Sequence, residues 1–180
     1  MKATGIVRRI DDLGRVVIPK EIRRTMRIRE GDPLEIYTDN DGEVIFKKYS
    51  PLGELGSFAT QYAEVLHRTG GHPVVVCDRD HVIAVAGIPK KEMLERRVST
   101  ALEDVMEQRK SFASSGVDPN RIQPVEGVDR FAVAGTPIIT SGDVCGVIMF
   151  IADDNSATAG DIEIKLIATA AAFLGKQMEE

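Results

Sequence analysis

The sequence predicts an α+β protein of two successive domains, and two patterns of apolar residues lead to this fold class. Before Tyr49 the apolar residues form short β-branched runs separated by turn residues, as in small β-rich domains. After Gly53 strand-like runs alternate with longer segments of helical periodicity. We therefore expect one domain at residues 1–50, a linker at 51–55 and an α/β domain at 56–180.

The first domain contains four short strand-like runs and one short helix. The strands are predicted at 4–10, 15–18, 34–38 and 43–48. A turn at 11–14 follows the first run, and Asp41-Gly42 predicts a tight hairpin turn because this pair readily supplies positive φ angles. The helix is predicted at 19–26, since Pro19 suits the first turn of a helix.

Strands this short bury little core, and a lone hairpin is marginal in water. We therefore expect the first domain to complete its core as a homodimer, in which two copies interleave their strands.

The second domain alternates strands and helices. Strands are predicted at 74–77, 82–86, 131–140 and 144–152, and the last two are joined by a hairpin turn at 140–143. Helices are predicted from Leu55 through Leu66 and at 90–97, 100–110 and 161–178. The last helix is apolar on two sides, which predicts burial on both. One side suits its own sheet, and the other suits Phe58, Tyr62 and Leu66 or another chain.

Charge is distributed unevenly along the chain. Residues 1–30 hold nine basic and four acidic groups, whereas residues 51–180 hold twelve basic and nineteen acidic groups. A basic segment in a chain of net charge −5 indicates a polyanion partner for that segment alone. A solvated basic surface is the alternative interpretation of the same excess.

Arginine is the residue type best suited to such a partner, because its planar guanidinium donates to phosphate or guanine in a fixed fork. Five arginines accompany the first strands and the helix, and a dimer would present ten. They are Arg8, Arg9, Arg15, Arg23 and Arg24. Strand alternation would place Arg8 and Arg9 on opposite faces. Arg27 and Arg29 are interpreted as surface charges.

Other residue types that often carry chemistry are interpreted as structural. Cys77 and Cys145 lie in apolar runs and predict small buried side chains rather than a redox pair. Loop, turn and helix-boundary positions account for the remaining candidates, which are His67, His72, His81, Ser114-Ser115-Gly116, Asp153-Asp154 and Asn155-Ser156. Phosphate-binding, zinc-protease and serine-hydrolase motifs are absent from the sequence, so we expect no enzyme, no metal and no cofactor.

The run Met1–Arg24, and above all Gly14-Arg15-Val16-Val17-Ile18-Pro19, closely resembles the AbrB family of transition-state regulators. The resemblance continues through Leu34-Glu35-Ile36-Tyr37 and the segment 44–49. It implies a swapped-hairpin β-barrel in which two chains intertwine. The family's DNA-contacting arginines match Arg8, Arg15, Arg23 and Arg24, and Arg9 stands where a basic residue is usual. The resemblance further implies that the protein recognises the shape of DNA rather than a fixed sequence of bases.

The whole chain resembles a family of sporulation regulators that join this domain to a GAF-like domain, with an antiparallel sheet flanked by helices. That resemblance implies a homotetramer joined through C-terminal helices. It also implies binding to double-stranded DNA, and activation and repression of late sporulation genes in the forespore. The Asn-Lys pair of cyclic-nucleotide-binding members is absent. An unknown small-molecule ligand and a purely assembling role both stay open for this domain, and we favour assembly.

Two alternatives compete with the DNA-binding interpretation. Related swapped-hairpin domains occur in antitoxins, which predicts a protein target, although antitoxins usually carry an extended tail and residues 54–180 look globular. An enzyme within the α/β domain would need a pocket with converging polar groups. The chain lacks a membrane-length apolar run, and its first residues lack the apolar core of a signal peptide, so we expect a cytoplasmic protein.

Overall fold

The computed structural model describes residues 4–116, 121–152 and 157–179. The chain forms two compact units, Met1–Tyr49 and Ser50–Glu180, called here the N-terminal and C-terminal units. The turn and helix cap expected at 153–156 lie outside the described residues.

The N-terminal unit contains one helix and one hairpin. Helix α1 spans Lys20–Met26, after Pro19. Strands β1 (Leu34–Thr38) and β2 (Val44–Lys48) pair antiparallel, with Ile36 opposite Phe46. At the hairpin turn, the Asp39 carboxylate accepts from the N–H groups of Asp41 and Glu43, and Gly42 adopts φ 82°. The helix and hairpin predicted from turn chemistry are thus confirmed.

The two strands predicted at 4–10 and 15–18 are absent from the single chain. The turn between them is present, since the N–H of Asp11 donates to the Arg15 carbonyl at 3.0 Å and Gly14 adopts φ 75°. A strand exists only where a neighbouring strand completes its hydrogen-bond ladder, and the hairpin β1–β2 does not supply one here. The strand prediction is therefore wrong for the isolated chain.

The segment 51–55, expected to be a linker, is folded into the C-terminal unit. Helix α2 spans Pro51–Glu54, and Leu52 is fully buried. Ser50 caps this helix, because its Oγ accepts from the N–H of Gly53 at 3.0 Å. The same hydroxyl donates to Asp78 Oδ2 at 2.9 Å. Leu52 is therefore buried in the core, whereas a free linker would leave this side chain exposed to water.

One antiparallel sheet of five strands organises the C-terminal unit. Its order is β4-β3-β7-β6-β5, with the long β6–β7 hairpin at its centre. The strands are β3 (Val74–Asp78), β4 (Val82–Ala86), β5 (Phe112–Ala113), β6 (Phe131–Thr140) and β7 (Asp143–Ala152). Four of these match the predicted strands. The two-residue β5 gives no periodic signal and was not predicted from sequence.

Four helices complete the C-terminal unit as described. They are α3 (Gly56–Gly70), α4 (Lys90–Met93), α5 (Thr100–Gln108) and α6 (Asp161–Gln177). The helix predicted at 90–97 stops early, because Leu94 turns to an extended conformation. The chain then bonds along β4, where the N–H of Glu95 donates to the Val82 carbonyl at 2.9 Å. Tertiary hydrogen bonding has overridden helix propensity here.

Both faces of the sheet are covered. Helices α3 and α6 lie on the face that contains Val74 and Val76, and α4 and α5 lie on the face that contains Val75 and Cys77. The alternation of these consecutive side chains follows from the two-residue period of a strand. Cys77 and Cys145 are both buried and free of disulfides, as predicted. Burial raises the pKa of both thiols, which keeps them protonated and unreactive at neutral pH.

Helix α6 meets both surfaces that its two apolar sides predicted. Ile167, Ala171 and Leu174 are buried in the core beneath it. On its other side, the Phe173 ring lies 5.3 Å from that of Tyr62 and 6.0 Å from that of Phe58, centre to centre. Of the two alternatives predicted for this side, the first helix or another chain, the contact with Phe58 and Tyr62 of α3 is present.

Candidate nucleic-acid interface

Arg15 is held by the turn that precedes it. The Asp11 carboxylate accepts from the Arg15 N–H at 2.8 Å and from the Leu13 N–H at 3.0 Å. Asp11 Oδ2 also accepts from Arg15 Nε at 2.8 Å. The backbone N–H of Arg15, and then its guanidinium, lower the pKa of Asp11. One carboxylate therefore fixes both the turn and the direction of Arg15, whose side chain remains mostly exposed.

Arg23 and Arg24 are neighbours on α1 but differ in environment. Arg24 is exposed, whereas Arg23 is half-buried. The Nε of Arg23 is buried and has no hydrogen-bond partner within the described part of the chain. Residues adjacent on a helix point about 100° apart, so the two side chains reach different parts of the surface.

Arg8 and Arg9 lie in the irregular segment before the turn, and both are exposed. Since this segment is not a strand in the single chain, their placement on opposite faces stays a prediction. All five predicted arginines thus lie on the N-terminal unit with solvent-accessible side chains. Arg23 and Arg24 lie on α1, and Arg15 ends the turn that precedes it in the chain.

The end of α1 reveals residues that composition and motif reasoning did not select. Arg27 ends the helix in a left-handed conformation, with φ 50°. Its carbonyl accepts from Lys48 Nζ at 2.9 Å, and Lys48 Nζ also lies 3.9 Å from Asp32 Oδ2. Their sequence separation hides this cluster, because only the fold brings β2 to the end of the helix. Arg27 is exposed, as expected for a surface charge, and its backbone also caps the helix.

In the described part of the C-terminal unit, the residues considered as candidates for chemistry make structural contacts. His67 Nδ1 lies 2.8 Å from the His72 carbonyl, which fixes the end of α3 as predicted for boundary histidines. Ser114 Oγ accepts from the Arg121 guanidinium at 2.6 Å and lies beside a loop. Within residues 4–116, 121–152 and 157–179, no group of three His, Cys, Asp or Glu residues is arranged to hold a metal.

Family models match both units. Residues 54–179 match the family described as stage V sporulation protein T C-terminal, transcription factor. Residues 7–53 match the family described as antidote-toxin recognition MazE, bacterial antitoxin.

Individual relatives cover the whole chain and its N-terminal part. Stage V sporulation protein T of Bacillus subtilis is 55% identical over the full length of both chains. Transition state regulatory protein AbrB of the same organism is 65% identical over 51 residues, which are 28% of this chain and 52% of AbrB. The GAF domain of a phosphoenolpyruvate-protein phosphotransferase from Coxiella burnetii superposes with TM-score 0.54 at 16% identity, over 69% of this chain and 82% of that domain.

The family matches and relatives define a two-domain transcription factor rather than an enzyme. Its N-terminal domain is of the AbrB type, and its C-terminal domain has a GAF-like fold. The chain belongs to the stage V sporulation protein T family. The predicted α+β class, with an antiparallel sheet flanked by helices in the second domain, is confirmed. Among the described residues, no helix is both long and apolar enough to cross a membrane.

Proposed function

We propose that this protein binds double-stranded DNA through its N-terminal unit and regulates late sporulation genes, as activator and repressor, in the forespore cytoplasm. The DNA surface consists of Arg8, Arg9, Arg15, Arg23 and Arg24. The observation that carries this proposal is an arginine-rich surface on an AbrB-type domain of net positive charge at residues 1–30. Such binding neutralises phosphates, so its affinity should fall as the salt concentration rises, and this fall can be measured.

Dimerisation of the N-terminal unit follows from its lack of an interior. Pro19 is the single buried residue among residues 4–49. Val7 is 89% exposed and Leu13 is 70% exposed. Burying one such side chain stabilises a fold by about 1.5–3 kcal/mol, and a domain that leaves most of its large apolar side chains exposed has little core. Two copies that interleave residues 4–18 and the hairpin would supply a core. They would also give residues 4–10 and 15–18 the strand partners that the single chain lacks.

The apolar face of the hairpin supports this proposal. Pairing in register places Ile36 and Phe46 on one face, next to Val44. These three apolar side chains are all exposed in the single chain. The opposite face carries Ile45, which is half-buried, and Tyr37, whose ring lies 4.3 Å from Lys47 Nζ. An apolar face beside an arginine-bearing helix fits a dimer core with the DNA surface outside it.

Assembly of dimers into a homotetramer is the role we propose for the C-terminal unit. Helices α3 and α6 present a stripe, called here the aromatic stripe, formed by Phe58, Tyr62, Val65 and Phe173. Val65 and Phe173 remain exposed although both helices are otherwise packed on the sheet. Contiguous exposed apolar surface of this kind marks interaction sites.

Ligand sensing is the alternative role for this unit. The face of the sheet beneath α4 and α5 is filled by the unit's own side chains, including Met93, Leu102, Met106 and Met149. Because the unit's own side chains fill this face, we favour assembly over the sensing of a small molecule.

The test is fluorescence anisotropy of the full chain on a labelled AT-rich duplex across a salt series. If about six to eight phosphates are neutralised, log affinity should fall with log salt at a slope of about −5 to −7. Arg15→Ala and Arg24→Ala should each weaken binding about tenfold or more. Lys110→Ala, which removes an exposed charge from the C-terminal unit, is the matched control and should bind as the parent does.

Parental affinity in both arginine variants would show that the DNA surface lies elsewhere. A second candidate function follows from the antitoxin-family match over residues 7–53, which suggests a protein target for the N-terminal unit. Absence of salt-dependent DNA binding by the full chain would favour this candidate. The full-length relationship to a sporulation regulator weighs against it.

A further inference from the structure

A single lysine fastens the end of α1 to the hairpin. Lys48 Nζ donates to the Arg27 carbonyl at 2.9 Å, and only 26% of its side chain is exposed. Because Lys48 is the last residue of β2, this bond joins the strand directly to the residue that caps α1. A lysine engaged with a helix end is poorly placed to donate to a phosphate at the same time.

A buried carboxylate stabilises this lysine. The Asp32 side chain is 4% exposed, and its Oδ2 lies 3.9 Å from Lys48 Nζ. The same oxygen accepts from the Arg29 N–H at 2.7 Å, which closes the loop after α1. A charge so far removed from water needs hydrogen bonds and an opposite charge close by. Asp32 and Lys48 meet that requirement for each other.

The cluster is connected by backbone bonds to the two arginines of α1. The Arg27 N–H donates to the carbonyls of Arg23 and Arg24. The Ile28 N–H also donates to the Arg23 carbonyl, at 2.8 Å. Any movement of the Arg27 carbonyl is therefore transmitted to the backbone from which both guanidinium groups project.

We propose that Asp32 and Lys48 are positioning residues of the DNA surface, which fix α1 on the hairpin and thereby aim Arg23 and Arg24 at DNA without contacting it. This inference rests on the proposed function. It gives Asp32 a favourable role in DNA binding, although the negative charge of this side chain alone would oppose binding. It also separates Lys48 from Lys47, whose side chain points from the opposite face of β2.

Asp32→Asn tests the inference by the sign of its effect. The substitution removes a negative charge from the DNA-binding unit, so a purely electrostatic role predicts tighter binding. Positioning predicts binding about fivefold to tenfold weaker, because the Lys48 ammonium loses the negative charge that stabilises it beside the Arg27 carbonyl. Anisotropy of the full chain on the AT-rich duplex measures this, at a temperature where circular dichroism shows each variant folded. Binding as tight as that of the parent, or tighter, would overturn the proposal.

Lys48→Met and Lys47→Met form a matched pair that removes the same charge from opposite faces of one strand. A lost phosphate contact, present twice in a dimer, would make the salt slope shallower by about 1.8. Positioning predicts that Lys48→Met weakens binding about tenfold, more than Lys47→Met does, and that adding Asp32→Asn to Lys48→Met costs little more because both residues act through one contact. If the double variant instead loses the sum of the two single losses, Lys48 acts independently of Asp32, as a direct phosphate contact would, and the positioning role is refuted.

Arg24→Ala, measured in parallel, separates this inference from the proposed function. If Arg24→Ala binds as the parent does, the DNA surface itself is misassigned. If Arg24→Ala loses affinity while Asp32→Asn and Lys48→Met do not, only the positioning role fails. Should Lys48→Met not fold, the sign of the Asp32→Asn effect decides alone.

Discussion

At the scale of single residues, the N-terminal unit relies on side chains that satisfy backbone groups. Asp11 accepts from two N–H groups and a guanidinium at the first turn, and Asp39 accepts from two N–H groups at the hairpin. Such local bonds form without a large core, which this unit lacks. Because its pKa is lowered, Asp11 contributes stability at neutral pH that is lost as pH falls through that lowered value.

Arg27→Gly should stabilise the N-terminal unit. Arg27 adopts φ 50°, a left-handed conformation in which a side chain is strained and glycine is not. We expect about 0.5–1 kcal/mol of added stability, measured as a higher midpoint of the N-terminal unit's transition in calorimetry of the full chain. Arg27→Ala removes the same charge but keeps the strain, so it should show no gain. Equal midpoints for the two variants would contradict the strain argument.

At the scale of elements, close contact between α6 and β6 depends on a glycine. A Cβ on Gly175 would lie 2.3 Å from the Ile139 carbonyl oxygen, a backbone atom that has little freedom to move. The helix can therefore approach the strand only where no side chain intervenes. This contact fixes the C-terminal end of α6, the helix that carries Phe173 to the aromatic stripe.

Gly175→Ala should destabilise the C-terminal unit, although glycine to alanine in a helix usually stabilises by about 0.5–1 kcal/mol. Steric overlap with backbone costs about 1–3 kcal/mol, which exceeds that gain. Denaturant unfolding of the full chain, followed by circular dichroism, measures the difference. Gly56→Ala is the control, because a Cβ there meets nothing within 4 Å. A stabilised Gly175→Ala would show that α6 shifts freely on the sheet.

At the scale of the whole molecule, assembly decides which surfaces are buried. The N-terminal unit leaves apolar side chains exposed that the proposed dimer would cover, and the aromatic stripe leaves Val65 and Phe173 exposed in the same way. A tetramer would carry four copies of the five arginines. Linked DNA sites then bind with an effective concentration that raises avidity without any new contact.

Val65→Asp should convert the proposed tetramer to a dimer. Val65 is 58% exposed, so the aspartate leaves the fold of one chain intact but places a charge within the aromatic stripe. Light scattering after size exclusion measures the mass, and a duplex with two sites should lose affinity more than a duplex with one. Val65→Ala, which adds no charge, should remain tetrameric. Unchanged mass in Val65→Asp would move the interface away from this stripe.

Local patterns in the sequence determined the helices α3 and α6, four strands of the five-stranded sheet and both hairpin turns. Turn chemistry and periodicity act over a few residues and need no knowledge of the rest of the chain. The five arginines were also apparent, because Gly14-Arg15-Val16-Val17-Ile18-Pro19 is a distinctive run. The inference that the N-terminal unit needs a second copy also came from the sequence, through the shortness of its strands.

Tertiary structure alone decided the rest. Residues 51–54, expected to be part of a linker, form a helix because Leu52 reaches the core, and the helix predicted at 90–97 stops at Met93 because β4 competes for the backbone that follows. The contact of Lys48 with Arg27 and Asp32 joins residues sixteen or more positions apart. Burial and hydrogen bonding between distant segments depend on where the whole chain places them, and no local pattern encodes that placement.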